Sequence, residues 1–243
     1  MQKSMPVTVV APAKLTVSLR VTGVRADGYH ELDAEMVALD LADTLTFADG
    51  GGLEVHDTTA GLPVGAGPDN LVARALRAVG RKAHVVVDKR IPAGAGLGGG
   101  SADAAAVLRW AGVDDDTVAA ALGADVCFCV RGGRARVTGI GEVVEPLPFA
   151  PRTYTLLIPP FGCSSPAVYR AWDELGGPTG RGSNDLEPAA LHVEPRLADW
   201  RDRLGDATGV VPSLAGSGST WFVEGAYEGD GLTVVHTVEA PTA

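Results

Sequence analysis

The sequence contains few cysteines. Three, Cys127, Cys129 and Cys163, occur among its 243 residues. This small, odd number excludes the dense disulfide framework that stabilises small secreted domains. Cys127 and Cys129 are separated by one residue, and no histidine or further cysteine nearby completes a zinc site. The sequence therefore predicts buried free thiols and no metal site of this kind.

Basic residues and long apolar runs are also scarce. The chain has 20 lysines and arginines against 30 aspartates and glutamates, which gives a net charge of −10. Nucleic-acid-binding proteins usually present a basic surface, so we expect no nucleic-acid partner. No apolar run has the length of a membrane span, and residues 1–8 lack the apolar core of a signal peptide. These absences predict a cytoplasmic protein without a membrane partner. We expect either a monomer or a weak homodimer.

The abundant residues favour a globular fold of the α+β class. Hydrophobic residues make up 46% of the chain, enough for a substantial core. Strand-like and helix-like segments follow one another without the regular rhythm of βαβ units. Pro146, Pro148 and Pro151 cluster between two such segments, as at a domain junction. We therefore predict two lobes, residues 1–150 and residues 151–243.

Residue periodicity and turn residues locate the elements. Strands are predicted at residues 7–21, 35–47, 53–56, 84–87, 153–158, 219–224 and 232–238, with a hairpin over 134–144. Helices are predicted at residues 71–79, 101–110, 165–175 and 195–204, with an alanine-rich helix near residue 119. Ser101 is predicted to be the N-cap of the helix that follows it.

A glycine-rich segment leads into the helix predicted at residues 101–110. Five glycines lie between Gly94 and Gly100. Glycine lets the backbone approach a ligand closely, and free amides ahead of a helix, together with the helix dipole, form an anion site. The phosphates of ATP are the predicted occupant. The segment consists of Pro92, Ala93, Gly94, Ala95, Gly96, Leu97, Gly98, Gly99, Gly100, Ser101 and Ala102.

Other glycine-rich motifs fit this segment less well. The Walker A motif needs a lysine after its last glycine, and none follows Gly100. Gly94, Gly96 and Gly99 match the dinucleotide pattern, but that fold places an acidic residue about 20 residues further on, at the end of a second strand, and the chain near residue 119 indicates an alanine-rich helix instead. The downstream motifs of protein kinases are absent. A flexible linker is the remaining alternative, although linkers seldom lead into so clear a helix.

The segment resembles the phosphate loop of the superfamily of galactokinase, homoserine kinase, mevalonate kinase and phosphomevalonate kinase. Five further segments are similar to the motifs of one family in it, the 4-diphosphocytidyl-2-C-methyl-D-erythritol kinases. They occur in the family's order and are Ala11-Pro12-Ala13-Lys14-Leu15, Arg25-Ala26-Asp27-Gly28-Tyr29-His30-Glu31-Leu32, Gly123-Ala124-Asp125-Val126, Ser183-Asn184-Asp185-Leu186-Glu187 and Leu214-Ala215-Gly216-Ser217-Gly218-Ser219.

This resemblance implies phosphorylation by ATP, with Mg²⁺, of the 2-hydroxyl of a cytidine-diphosphate-linked methylerythritol, in the non-mevalonate route to isoprenoids. It also implies a two-lobed small-molecule kinase fold, with an N-lobe like ribosomal protein S5 and a ferredoxin-like C-lobe. Two alternatives stay open. One is a kinase of the same fold for another small alcohol, of the homoserine or mevalonate type. The other is a nucleotide-binding protein without catalysis.

Lys14 and Asp125 are the catalytic residues that the resemblance implies. Asp125 would accept the proton that the alcohol loses. Lys14, on the first strand, would lie beside it, keep the carboxylate ionised and neutralise charge on the transferring phosphoryl group. A protein that only binds nucleotides needs neither residue.

The resemblance also implies the binding residues. Tyr29 and His30 would stack on and hydrogen-bond to the cytosine, with Tyr169 on the opposite face of the base. Asn70 would lie near the adenine, or would be only a helix N-cap. The remaining substrate-binding residues are Lys89, near the base, and Thr16, Gly216, Ser217 and Gly218, near the rest of the substrate.

Three positions leave details open. Thr16 stands where the family usually carries asparagine, and a hydroxyl donates one hydrogen bond where an amide donates two. Cys127 replaces the usual proline, which bears on the rigidity of the loop expected to carry Asp125. Ser101 is expected to contact a phosphate, to cap its helix, or to do both.

Overall fold

The structure is a computed structural model that describes residues 5–59, 61–180 and 182–241. The strands in these ranges are β1 (Val7–Val24), β2 (His30–Ala48), β3 (Gly52–Asp57), β4 (His84–Lys89), β5 (Arg134–Gly139), β6 (Val143–Pro146), β7 (Thr153–Leu157), β8 (Ser213–Leu214), β9 (Trp221–Glu224) and β10 (Leu232–His236). The helices are α1 (Leu71–Ala78), α2 (Gly99–Ala111), α3 (Asp116–Leu122), α4 (Ala124–Arg131), α5 (Ser165–Glu174), α6 (Glu187–Val193) and α7 (Leu197–Thr208).

The N-terminal strands build the first sheet. Its order is β3-β4-β2-β5-β6, and β1 pairs with β2 in a long antiparallel hairpin. The β1–β2 register shifts between Pro12 and Lys14, where proline has no amide proton to give to the ladder. Irregularities of this kind bend a strand and redirect its side chains. The stretch that follows, residues 13–16, is buried throughout, Lys14 included.

Helix α2 lies in the core behind the first sheet. It packs against β1, α1 and α4. Four of its alanines are almost completely buried and are small enough to let the helix backbone approach these neighbours closely; they are Ala102, Ala104, Ala105 and Ala106. Because α2 begins where the glycine-rich segment ends, this packing holds the end of that segment in place.

The C-terminal strands build a second sheet with the order β10-β7-β9-β8. Tyr154 and Trp221 are fully buried in it. Beyond β10 the chain returns to the first sheet, where the Val238 amide donates to the Ala38 carbonyl at 2.9 Å. The first sheet thus uses strands up to residue 146 and the second uses strands from residue 153. The division into two lobes at residue 150 stays a prediction, and residues 1–4, 60, 181 and 242–243 of those lobes lie outside the described ranges.

The two sheets and their helices confirm the predicted α+β class, and each predicted strand and helix has a counterpart in the structure. One detail is wrong. Helix α2 begins at Gly99, and its N-cap is Gly98, so Ser101 is not the cap. Gly98 has left-handed backbone angles, which glycine adopts at little cost, and the helix therefore starts as soon as this residue has turned the chain.

Candidate active site

The glycine-rich loop between β4 and α2 packs against two other parts of the site. Gly96 has φ +78° and Gly98 has φ +69°, values that favour glycine. A Cβ atom on Gly96 would lie 2.5 Å from the carbonyl oxygen of Ala215, and one on Gly98 would lie 2.7 Å from Cγ of Lys14. Both positions therefore require glycine, because the loop touches the C-terminal glycine motif and the Lys14 side chain.

The loop lines a cavity of about 280 Å³. The first amides of a helix have no partner within the helix, and α2 directs these amides and the positive end of its dipole toward this place. Lys14, Asp125, Ser165 and Ser217 line the same cavity. The loop residues that line it are Pro92, Ala93, Gly94, Ala95, Gly96, Leu97, Gly98, Gly99, Gly100 and Ser101. Ala102 does not line it, because it is buried within α2.

Lys14 and Asp125 lie side by side in this cavity. The Lys14 ammonium nitrogen is 3.4 Å from Oδ2 of Asp125 and donates to the Thr16 hydroxyl at 3.0 Å. Lys14 is only 5% exposed, whereas the Asp125 side chain is 36% exposed. A buried ammonium therefore faces a carboxylate that an incoming molecule can reach.

Asp125 lies in the first turn of α4, two residues after the N-cap Gly123. The positive end of a helix dipole favours a carboxylate there. The expectation that Asp125 lies in a loop is wrong, and its position is fixed by a helix whose next turn includes the buried Cys127. All three cysteines are buried free thiols, as predicted, and burial raises the pKa of Cys127 to about 11.

A second cavity of about 280 Å³ continues from the Lys14–Asp125 pair. Thr16, Ser101, Gly216 and Ser217 line it. Tyr169 closes one side, and burial, with the negative charge of Asp125, raises the pKa of its hydroxyl. The apolar part of the lining consists of Leu19, Leu32, Met36, Ala124 and Ile140.

A third cavity of about 490 Å³ lies beyond Tyr169 and holds Tyr29 and His30. Tyr29 is 58% exposed. The His30 and Tyr169 rings lie 4.8 Å apart between centroids. Ile140, Ser165 and Tyr169 line both this cavity and the second one. The three cavities thus form a continuous path from the aromatic residues to the glycine-rich loop.

The C-terminal glycine motif is held by Asn184. Its side-chain amide donates to the carbonyl oxygens of Leu214 at 2.8 Å and Gly216 at 2.6 Å. The structure brings Gly216 and Ser217 to the cavities, whereas Gly218 stands behind them, with its carbonyl against Gly96. The hydroxyls of Ser217 and Ser165 are hydrogen-bonded at 2.6 Å.

The structure does not bring Lys89 to the Tyr29–His30 cavity, so this expectation needs correction. Lys89 is buried in an ion-pair cluster with Asp43 and Asp103, at 2.7 Å from the latter. Asp43 also accepts hydrogen bonds from the amides of Arg90 and Ile91. A buried ammonium needs charged partners, and these two carboxylates hold Lys89 beneath the glycine-rich loop. Burial raises the pKa of Asp103 to about 7; Lys89 opposes this shift and Asp43 adds to it.

Asn70 is the N-cap of α1, as the alternative interpretation held. Its side-chain oxygen accepts from the Val72 amide at 2.9 Å, and its amide donates to the Gly65 carbonyl. It also lines a cavity of about 400 Å³ that borders the glycine-rich loop at Ala93 and Gly100. Asn70 therefore caps α1 and lines this cavity at the same time.

Sequence reasoning missed three residues of the site. Ser165 was identified only as a helix start, although it lines all three connected cavities. Asn184 holds the glycine motif by contacts 30 and 32 residues away along the chain. Asp173 hydrogen-bonds to His30 at 2.8 Å across 143 residues. Ser165 had a local signal, the Ser-Pro pair that begins a helix, and Asn184 lies in the family-like segment 183–187, which did not reveal its partners.

Within residues 5–59, 61–180 and 182–241, no helix combines the length and the apolar character that crossing a membrane requires. No group of three or more histidine, cysteine, aspartate or glutamate side chains in the same ranges is arranged to hold a metal ion.

Comparison with known proteins identifies relatives of this chain. Residues 70–133 match the GHMP kinases N terminal domain. A 4-diphosphocytidyl-2-C-methyl-D-erythritol kinase from Paracoccus denitrificans is 40% identical over 232 residues, which cover 87% of this chain and 84% of that protein. The protein of the same name from Moorella thermoacetica is 40% identical over 85% of this chain and 74% of its own length.

Solved structures agree with these relatives. A crystal structure of 4-(cytidine 5'-diphospho)-2C-methyl-D-erythritol kinase is 31% identical, with a TM-score of 0.74 over 95% of this chain and 99% of that one. Homoserine kinase from Cytophaga hutchinsonii is 16% identical, with a TM-score of 0.56 over 99% of this chain and 97% of its own, and shares the fold. The chain is an ATP-dependent kinase and belongs to the 4-diphosphocytidyl-2-C-methyl-D-erythritol kinase family.

Proposed function

We propose that the chain transfers the terminal phosphoryl group of ATP to the 2-hydroxyl of 4-diphosphocytidyl-2-C-methyl-D-erythritol, a step of the non-mevalonate route to isoprenoid precursors. The observation that carries the proposal is the Lys14–Asp125 pair, 3.4 Å apart, in a cavity that the glycine-rich loop also lines. The relatives named above carry the same substrate in their names.

The loop fits the phosphates of ATP. Backbone amides ahead of α2 suit an anion, and side chains at Gly96 and Gly98 would obstruct the loop. Ser101 adds a hydroxyl at the end of this cradle. Asn70 borders the neighbouring cavity, which suits the nucleoside part of ATP because it adjoins the loop at Gly100.

Mg²⁺ fits the same place. It prefers oxygen ligands and keeps several waters when it accompanies nucleotide phosphates, and Asp125 is the carboxylate that lines this cavity. When bound, the ion neutralises charge on the phosphates.

Lys14 and Asp125 then have distinct roles. Asp125 accepts the proton of the substrate hydroxyl as the new phosphorus–oxygen bond forms. Lys14 lies within reach of the carboxylate and of the loop, so its ammonium stabilises the charge on the transferring group. Thr16 accepts from Lys14, which leaves the proton of the Thr16 hydroxyl free to be donated to a substrate oxygen.

The remaining cavities suit the rest of the substrate. Tyr29 and Tyr169 line the outer cavity and offer aromatic faces to a cytosine. Gly216 and Ser217 line the second cavity together with Asp125, and backbone amides there suit the diphosphate. Because the cavities share lining residues, together they suit a long substrate with a base at one end and a polyol at the other.

A direct assay tests this function. The purified protein is incubated with ATP, Mg²⁺ and 4-diphosphocytidyl-2-C-methyl-D-erythritol, and ADP release and the phosphorylated product are followed. We expect turnover by the unaltered protein, and a fall in kcat of at least about a hundredfold for Asp125→Asn. Asp116→Asn is the matched control, because Asp116 is an exposed carboxylate paired with Arg131 outside the cavities. Equal turnover of homoserine or mevalonate would instead favour a kinase for another alcohol.

A further inference from the structure

His30 is held by three residues of one helix. In α5, Tyr169, Trp172 and Asp173 stand at positions i, i+3 and i+4, which share one face of a helix. The Tyr169 ring lies 4.8 Å from the imidazole, and the Trp172 ring meets it edge-on at 5.4 Å. Asp173 Oδ1 lies 2.8 Å from His30 Nε2. The ring therefore has little freedom to turn, and its side chain is only 7% exposed.

The contact with Asp173 selects one form of the neutral imidazole. An ionised carboxylate has only acceptor oxygens, so Nε2 of His30 must donate to it. In a neutral ring the other nitrogen, Nδ1, then carries the lone pair and is an acceptor. In the ranges that the structure describes, no residue hydrogen-bonds to Nδ1, and this atom is not fully buried. It is thus available to a molecule in the cavity that His30 lines.

We infer that Asp173 is a positioning residue for base specificity, because it keeps His30 Nδ1 as an acceptor that favours cytosine over uracil. Cytosine presents an amino group, a donor, at the position where uracil presents a carbonyl oxygen, an acceptor. An acceptor nitrogen facing that position binds the amino group and is repelled by the carbonyl oxygen. The inference rests on the proposed function and names the residue that sets its choice of base.

Asp173→Asn tests this inference. Asparagine has nearly the same shape but offers both an acceptor oxygen and a donor NH₂, so it accommodates either neutral form of His30. The measurement is kcat/KM for 4-diphosphocytidyl-2-C-methyl-D-erythritol and for its uridine analogue, at saturating ATP. We expect the ratio of the two values to fall by about tenfold or more, which corresponds to about 1.4 kcal/mol of lost discrimination.

Two further variants separate this role from a structural one. Glu174→Gln makes the same change of charge at the exposed neighbouring carboxylate, and we expect the ratio to stay unchanged. Asp173→Glu keeps a carboxylate, which only accepts hydrogen bonds. It should therefore keep the preference for the cytidine substrate, even if kcat/KM falls for both substrates.

The outcomes are distinguishable. If Asp173→Asn lowers kcat/KM for both substrates by the same factor, or leaves both unchanged, the inference is wrong while the proposed function stands. If the unaltered protein does not phosphorylate the cytidine substrate, the proposed function itself fails.

Discussion

At the scale of single residues, Lys14 contributes the only buried ammonium that the described residues bring to the cavity of the glycine-rich loop. Its ammonium is almost completely buried and lies next to Asp125 and Thr16. Lys14→Met keeps the length and apolar part of the side chain and removes the charge. We expect kcat to fall by about a hundredfold or more, because charge on the transferring phosphoryl group loses its stabilising partner. The KM for ATP should change much less, since the loop amides remain.

Steady-state kinetics with varied ATP checks this prediction. Lys82→Met is the matched control, because Lys82 is exposed and lines none of the cavities described above. A Lys14→Met enzyme with a normal kcat would contradict the catalytic role.

A second prediction at this scale concerns Asp103. Burial raises the pKa of its carboxyl to about 7, above the value of about 3.9 for an unfolded chain. The folded protein therefore binds the proton more tightly than the unfolded chain does. The resulting stability is fully present below about pH 4 and is lost as the pH rises through about 7. Asp103→Asn removes this contribution.

Denaturant unfolding at several pH values between 4 and 9 measures the effect. The variant also loses an ionic contact with Lys89, which changes its free energy of unfolding at every pH. The quantity to compare is therefore how the difference in free energy of unfolding between the two proteins changes with pH. We expect the stability of the variant, relative to the unaltered protein, to rise between about pH 4 and pH 7 and to level off above that. A difference that stays constant across this range would show that Asp103 does not titrate there.

At the scale of elements, the glycine-rich loop makes the sharpest prediction. Gly98 and Gly112 both have φ +69°, so alanine at either position costs about 1–2 kcal/mol of backbone strain. Only at Gly98 would the new Cβ meet Lys14, at 2.7 Å, whereas Gly112 has open space around it. We expect Gly98→Ala to lose at least about tenfold in kcat/KM for ATP. Gly112→Ala should lose stability and keep its activity.

Thermal unfolding and ATP kinetics on the two variants check this prediction. Equal activities would mean that the contact between the loop and Lys14 does not matter for catalysis.

The elements also show how far sequence reasoning reached. The strands, the glycine-rich loop and the helix behind it could be predicted, because their signals are local: alternation, turn residues and glycine spacing. The placement of Asp125 in a loop was wrong, since α4 has only eight residues and leaves little periodicity to detect. The burial of Lys89 could not be predicted, because its partners, Asp43 and Asp103, lie 46 and 14 residues away. The contact of His30 with Asp173 had no local signal at all.

At the scale of the whole molecule, contacts across residue 150 are extensive. They include backbone hydrogen bonds from Leu19 to Ser183, from Asp185 to Leu19, from Thr220 to Ala95 and from Val238 to Ala38. The ion pair of Arg20 with the buried Asp185 adds to them. We therefore expect one cooperative unfolding transition in scanning calorimetry rather than one for each predicted lobe. Two separate transitions would contradict this prediction and would favour independent lobes.

These contacts also define the path that links the cavities. Residues before position 150 supply Lys14, Asp125 and the glycine-rich loop, and residues after it supply Tyr169, Ser217 and Asp173. Neither part of the chain alone encloses the path from the aromatic residues to the loop, so the site forms only when both parts of the chain are folded against each other.

The most direct measurement is a crystal structure of the protein with a non-hydrolysable ATP analogue, Mg²⁺ and 4-diphosphocytidyl-2-C-methyl-D-erythritol. We predict the terminal phosphate in the glycine-rich loop beside Lys14, with the substrate 2-hydroxyl about 2.6–3.2 Å from a carboxylate oxygen of Asp125. A terminal phosphate bound on another surface, away from both Lys14 and Asp125, would contradict the account.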